Sequence, residues 1–191
     1  PWSPQSLLDE VAAATNGAGG PRYQALIDTG ALITGMTNFE VAKYLLQKGL
    51  AGMEGVLFLN ERDERMVLER EGLRVVEQAH SGLTPGQRFT FYDHVHTTGM
   101  DVKQPLVCRA CLTLSKDMTF RDYAQGAYRM RGIGQGQGIE LLVTPEVMAM
   151  LQKALSGVEG VSEDARVARI AKLRRKPQSF AQKMAVDVIS W

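Results

Sequence analysis

Apolar residues recur along this chain at the two spacings that define regular secondary structure. Near the N-terminus the spacing is helical, and it includes Leu7, Leu8, Val11 and Ala12. Continuous apolar runs at residues 25–27 and 56–59 are bounded by glycine or polar residues, which is typical of buried strands. We therefore predict a helix within residues 1–16, followed by two inner strands.

Strand-like patterns continue through the middle of the chain. Residues 88–92 alternate between polar and apolar side chains, and residues 106–114 and 138–143 are largely apolar. Residues 61–70 are ambiguous, because their charge density also suits an exposed helix. Two short apolar runs separated by Glu71-Gly72 favour a hairpin there.

Helix starts are marked by capping boxes, in which a Thr is followed three residues later by an acidic residue. Thr37 with Glu40 predicts a helix that ends at Gly49. Thr119 with Asp122 predicts another, whose apolar stripe would include Phe120, Tyr123, Ala124 and Ala127.

Strands that alternate with helices predict an α/β domain with a parallel sheet and crossover connections. We place an N-terminal helical segment and linker at residues 1–22 and the main domain at 23–156. A basic C-terminal helical extension would occupy residues 157–191. Asp28 and Thr29 end the first strand, where such sheets often carry sites, but an Asx-type turn explains the same residues.

Composition narrows the class of protein. The 191 residues are 45% hydrophobic with a formal net charge of +1, which argues against a surface coated by polyanion. Two cysteines and the lack of a signal-like start point to an intracellular setting without a membrane partner. Because the sequence begins at Pro1, we expect it to be a piece of a longer polypeptide.

Two stretches carry candidate chemistry. In residues 123–135, Gln125 and Arg129 share the helix face opposite the apolar stripe. Arg131 would fall within the apolar stripe if the helix continued, so we expect the helix to end near Met130. In residues 92–102, the turn Thr97, Thr98, Gly99 follows a strand and leads to Asp101.

Together these stretches resemble motifs V and VI of the second RecA-like domain of superfamily 2 helicases and translocases. His96-Thr-Thr-Gly-Met-Asp101 is similar to motif V, and Gln125, Arg129 and Ile133-Gly-Gln135 are similar to motif VI of chromatin-remodelling ATPases. The motif places its second arginine at the position of Gly132, whereas this chain has Arg131 one residue earlier.

A closer resemblance covers residues 25–33, 92–104 and 113–138. It is to an uncharacterised domain in the C-terminal part of very large eukaryotic proteins that are often labelled ubiquitin hydrolases by similarity. In that family an upstream domain carries the phosphate-binding loop. The resemblance therefore implies a RecA-like second lobe that acts with an upstream RecA-like domain of the same polypeptide.

The resemblance also implies roles for the candidate residues. Arg129, Arg131 and Gln125 would act on the phosphates as an arginine-finger group, because a guanidinium stabilises the charge that develops during phosphoryl transfer. Thr97, Thr98 and Gly99 would contact a nucleic-acid phosphate or the ribose side of the nucleotide, and Asp101, of the same cofactor-binding group, would orient Arg129 or a backbone turn. The substrate of the motor would be a nucleic acid or a protein. The chain has no Gly-x-x-x-x-Gly-Lys-[Ser/Thr] loop and no Asp-Glu pair at a strand end, so ATP and Mg²⁺ are expected only with the upstream domain.

Three alternatives remain open at this point. A thiol-dependent ubiquitin hydrolase would use Cys108 or Cys111 with one of His80, His94 and His96 as base. A metal site would combine His94 and His96 with the two cysteines, although cysteines three apart in a strand point to opposite faces. The last alternative is a non-catalytic scaffold that keeps the RecA-like fold without its motor chemistry.

Overall fold

The computed structural model describes residues 2–96 and 100–156. Its helices are α1 (Pro4–Ala13), α2 (Asn38–Lys48), α3 (Phe120–Ala127) and α4 (Pro145–Ser156). Its strands are β1 (Ala25–Ile27), β2 (Gly55–Leu59), β3 (Arg65–Glu69), β4 (Val75–Glu77), β5 (Arg88–Tyr92), β6 (Cys108–Leu114) and β7 (Gln137–Val143). Single 3₁₀ turns lie at Glu71–Leu73, Gln78–His80 and His94–His96.

The seven strands form one mixed sheet in the order β4-β3-β2-β5-β1-β6-β7. The strands β2, β5, β1, β6 and β7 are parallel to their neighbours in that order. The pairs β2–β3 and β3–β4 are antiparallel. The predicted α/β class is therefore confirmed, and the layout is consistent with a RecA-like domain. The hairpin expected in residues 61–76 is also confirmed as β3 and β4.

Helices cover both faces of the sheet. Helices α1 and α2 pack together over one face, where alternate strand residues such as Leu26, Phe89 and Cys111 enter the main core. Helix α3 covers the opposite face, where Gly126 lies beside Leu112 of β6. We call the first face the α1/α2 face and the second the α3 face.

The helix starts follow the sequence signals closely. Thr37 and Glu40 form the reciprocal capping box of α2, and Thr119 and Asp122 form that of α3. Ser3 and Ser6 make a third box at the start of α1, which buries the four predicted residues of its apolar side. These caps satisfy amide groups that the first helical turn leaves without partners.

Two predicted features of this region are wrong in detail. The apolar stripe of α3 consists of Tyr123, Gly126 and Ala127, whereas Phe120 is 59% exposed. The side of α3 that carries Gly126 faces the sheet, because only a residue without a side chain can approach Thr29 this closely. Strand β6 begins at Cys108, and Leu106 and Val107 before it are exposed rather than part of the strand.

The chain divides into a unit of residues 1–143, which contains the whole sheet, and a unit of residues 144–191. Helix α1 packs in the same core as the sheet. The predicted basic extension at residues 157–191 lies outside the described residues. Within the described part of the chain, every helix is too short or too polar to cross a membrane.

Candidate functional site

The two candidate stretches meet on the α3 face of the sheet. Nη1 of Arg129 donates a hydrogen bond to the carbonyl oxygen of Met100. Nε of Arg131 lies 3.3 Å from Oδ1 of Asp101, with both side chains largely exposed. A hydrogen bond to the backbone and an ion pair therefore join the described parts of the segment after β5 and the segment after α3.

Buried anchors fix the segment that carries Met100 and Asp101. The side chains of Met100 and Val102 are 4% and 2% exposed, so alternate residues of this segment are buried. Nε2 of Gln104 donates to Oγ1 of Thr90 at 2.9 Å and to the hydroxyl of Tyr92 at 3.0 Å. The segment is thus tied to β5, from which it departs.

The end of α3 places the arginines. The helix stops at Ala127, and the chain continues in turns to Met130, whose side chain is 1% exposed. This early stop agrees with the expectation from sequence. On either side of the buried Met130, Arg129 and Arg131 reach the segment that carries Met100 and Asp101.

Arg129 carries a positive charge that no carboxylate of the described residues neutralises. Its Nε atom is buried and has no hydrogen-bond partner there. Burial lowers the pKa of Arg129, and the adjacent charge of Arg131 lowers it further, while Tyr92 and Asp101 oppose the change. Asp101 is already paired with Arg131, so the pair of arginines keeps a net charge of +1.

The other predicted site residues are less constrained. Gln125 is half-buried on α3, and the described part of the chain offers its side chain no hydrogen bond. Thr97, Thr98 and Gly99 lie outside the described residues. The structure therefore brings together Arg129, Arg131 and Asp101 of the predicted set.

His96 begins the stretch that resembles motif V and was also a candidate base and metal ligand, but the structure places it between two carboxylates. Nδ1 of His96 is 2.7 Å from Oδ1 of Asp93, and its Nε2 is 2.8 Å from Oδ1 of Asp63. Burial lowers the pKa of His96, but the hydrogen bonds to the two carboxylates outweigh it, and the net pKa is raised. The Asp-x-x-His spacing was visible in the sequence, but Asp63 lies in a distant turn.

The cysteines are poorly suited to nucleophilic chemistry. Both are buried, and their thiols donate to different backbone carbonyls, those of Pro105 and Ala25. Burial raises the pKa of Cys108 to about 11 and raises that of Cys111 still further. Since the thiolate is the reactive form, this environment disfavours a thiol hydrolase.

The metal alternative finds no support in the side-chain arrangement. His96 is bound by two carboxylates, and Cys111 lies in the core of the α1/α2 face. Within residues 2–96 and 100–156, no three His, Cys, Asp or Glu side chains are grouped as metal ligands would be.

Asp28 belongs to the framework of the sheet. Its carboxylate accepts hydrogen bonds from the amides of Leu32 and Ile33 at 2.9 and 3.0 Å, and from the hydroxyl of Thr113 at 2.8 Å. With 1% exposure, it has no surface to offer a ligand. The turn interpretation of this residue fits the structure better than a site.

Comparison with protein-family models, curated proteins and solved structures finds no match to this chain. What the site does must therefore follow from its own geometry. That geometry places the exposed guanidinium of Arg131 near the half-buried guanidinium of Arg129, and the carboxylate of Asp101 pairs with Arg131.

Proposed function

We propose that this chain is the second lobe of a helicase- or translocase-like ATPase and supplies an arginine to a nucleotide site that an upstream RecA-like domain completes. ATP and Mg²⁺ would be bound chiefly by that upstream domain of the same polypeptide. The chain alone would be inactive. The substrate on which the ATPase acts would be a nucleic acid or a protein.

One observation carries this proposal: the guanidinium of Arg129 is half-buried yet lacks a carboxylate partner among the described residues. A charge taken out of water normally acquires a counter-ion, because desolvation is costly. An unneutralised arginine beside a second arginine is a binding arrangement for an anion that arrives from outside. A triphosphate held by a companion lobe provides such an anion.

The chemistry suits this assignment. Hydrolysis of a nucleoside triphosphate builds negative charge on the oxygens of the transferred phosphoryl group, and an arginine that reaches them raises the rate by roughly 10³–10⁵. The planar guanidinium binds two oxygens at once and stays charged at neutral pH. The backbone carbonyl of Met100 would orient Arg129 without neutralising it.

The remaining residues would have supporting roles. Asp101 would hold Arg131 until phosphate oxygens compete for its guanidinium, and Gln125 would donate its amide to a phosphate. Thr97, Thr98 and Gly99 would contact the ribose side of the nucleotide or the backbone of a bound strand.

The test compares two lengths of the polypeptide. The present chain should show no ATP turnover, whereas a polypeptide extended upstream through its phosphate-binding loop should hydrolyse ATP. In the extended protein, Arg129→Ala should lower kcat by about 10³-fold with a smaller effect on nucleotide affinity. Arg131→Ala measured alongside would decide which arginine dominates.

Arg121→Ala is the matched control, since Arg121 is exposed on α3, the helix that precedes Arg129. Its kcat should stay within about twofold of the parent, because surface substitutions of this kind are nearly neutral. An extended protein without ATPase activity would favour the non-catalytic scaffold. Equal losses in the Arg121 and Arg129 variants would remove the assignment of the arginine.

A further inference from the structure

A second positively charged site lies at the amino-terminal ends of the parallel strands β1, β6 and β7. A cleft of about 560 Å³ opens there between the loop after α1 and the start of β6. Arg22, Gln24 and Arg109 line it together with Asn16 and Val107. The volume lies within the range that small-molecule sites occupy, and the cleft shares no residue with the site of Arg129.

The two arginines of the cleft are held by one carboxylate. Glu140 accepts hydrogen bonds from Nε and Nη2 of Arg22 at 3.1 and 2.9 Å, and from Nη1 of Arg109 at 2.6 Å. The hydroxyl of Tyr23 donates to the same carboxylate at 2.7 Å. Both oxygens of Glu140 are therefore occupied, which fixes the two guanidiniums relative to each other.

This arrangement leaves positive charge and hydrogen-bond donors unused. Two arginines against Glu140 leave a net charge of +1, and no acidic side chain of the described residues lines the cleft. In the described part of the chain, Nη1 of Arg22 and both Nε and Nη2 of Arg109 lack partners. Gln24 uses its Oε1 to accept from the amide of Arg109, so its Nε2 remains available.

An oxyanion with several acceptor oxygens matches these donors best. A phosphate monoester carries a charge of about −1.5 to −2 at neutral pH and three acceptor oxygens, whereas a carboxylate has two oxygens and a single charge. The exposed Val107 on the rim would meet the uncharged part of such a ligand. The chemistry of the cleft thus selects a small phosphorylated molecule over a carboxylic acid.

We propose that the cleft between residues 15–24 and 107–109 binds the phosphate group of a small molecule through Arg22, Arg109 and Gln24. Glu140 and Tyr23 hold the two guanidiniums ready, so that the ligand displaces water without reorganising the protein. The site is separate from the proposed nucleotide site and does not depend on it.

The probe is inorganic phosphate, added to the full 191-residue chain labelled with ¹⁵N at constant ionic strength. We expect saturable shifts of the backbone and side-chain signals of Arg22, Gln24 and Arg109, and weaker binding of acetate. Arg109→Gln should weaken phosphate binding about tenfold, the loss expected for one charge-assisted hydrogen bond. Arg22→Gln should act in the same direction.

Arg62→Gln is the control, because Arg62 is exposed in the turn between β2 and β3. This substitution changes the net charge by the same amount as Arg109→Gln. It should leave the affinity for phosphate unchanged. Signals outside the cleft that keep their positions will show that each variant is folded. Shifts that fail to saturate, equal affinity for acetate, or equal losses in the Arg62 and Arg109 variants would overturn the proposal.

Discussion

His96 joins two loops through two hydrogen bonds, one from each ring nitrogen, and only the protonated, charged ring can donate both. Carboxylates accept hydrogen bonds and cannot donate them when ionised, so contacts from both ring nitrogens to Asp93 and Asp63 require both nitrogens to be protonated. The histidine therefore ties the turn after β2 to the segment after β5 as an imidazolium. Deprotonation removes one of the two hydrogen bonds.

This geometry predicts a pH-dependent stability. The folded-state pKa of His96 is raised above its ordinary value of 6.5, so its stabilising contribution is complete below that value and is lost as the pH rises through the folded pKa. Urea unfolding should therefore give a lower free energy of unfolding at about pH 8 than at about pH 6.

His96→Gln should reduce that difference, while His80→Gln serves as control, because the ring of His80 is exposed and lies 3.7 Å from the exposed carboxylate of Glu77. A pH dependence that is the same in the parent and in the His96 variant would show that the two carboxylates do not stabilise the charged ring.

At the scale of elements, the C-terminus of helix α2 is capped by the side chain of Arg70, the residue that follows β3. Nε and Nη1 of Arg70 donate to the carbonyls of Met53 and Leu46 at 2.7 and 2.9 Å, and Nη2 donates to those of Gly49 and Leu50. These carbonyls belong to the last turn of α2 and the loop after it. The guanidinium therefore satisfies groups that a helix C-terminus leaves unpaired.

Arg70→Gln should destabilise the fold by about 3 kcal/mol, because it leaves several carbonyls without a donor. Arg70→Lys should recover less than half of this loss, since an ammonium keeps the charge without the planar fork. Arg74→Gln is the matched control, with an exposed ion pair to Glu69 worth about 0.5 kcal/mol. Chemical denaturation of the four proteins measures the differences, and an Arg70→Gln variant as stable as the control would contradict the capping role.

The contact of α3 with the sheet depends on Gly126. An added Cβ would collide with Oγ1 of Thr29 and approach Leu112 within 3.3 Å. Gly126→Ala should therefore destabilise the protein by about 2 kcal/mol, although alanine normally favours a helix.

Thr29→Ala should restore part of that loss, because it removes the colliding oxygen, which is buried without a hydrogen-bond partner. Thermal unfolding of the two single variants and the double variant forms the required cycle. Strictly additive effects would mean that the collision is relieved elsewhere.

The sequence predicted those elements whose signals are local. Thr37 and Thr119 announce their helices because a cap acts within four residues, and the alternation of residues 88–92 follows from the geometry of one strand. The stripe of α3 was misassigned because Gly126 has no hydrophobic side chain to count, although its lack of bulk is what sets the packing. The pairing of Asp101 with Arg131 links distant segments, and only the resemblance had brought them together.

At the scale of the whole molecule, the strand order was beyond the reach of local patterns. The short β1 lies between β5 and β6, so its two partners come from residues 88–92 and 108–114. Hydrophobicity marks each of these strands as buried, but it does not specify which neighbour each one takes. The cleft of Arg22 and Arg109 depends on the same long-range pairing, which explains why the sequence did not indicate it.

The thiols offer a measure of how this core opens. Cys111 is fully buried beside β1, so an uncharged thiol reagent should reach it only when the sheet opens. We expect slow labelling of both cysteines that accelerates with urea, whereas a Gly82→Cys variant should label at once, because Gly82 lies in open space. Rapid labelling of Cys108 in the native protein would revive the thiol-dependent alternative.

The central place of β1 also has a consequence during synthesis. When the ribosome has completed β4, the growing chain holds residues 25–27 with neither of their partner strands. The N-terminal half must therefore wait with an apolar strand unpaired until at least residue 92 has emerged, and the second side closes only after residue 112. Such late, long-distance pairing makes folding slow and leaves the nascent polypeptide exposed to aggregation.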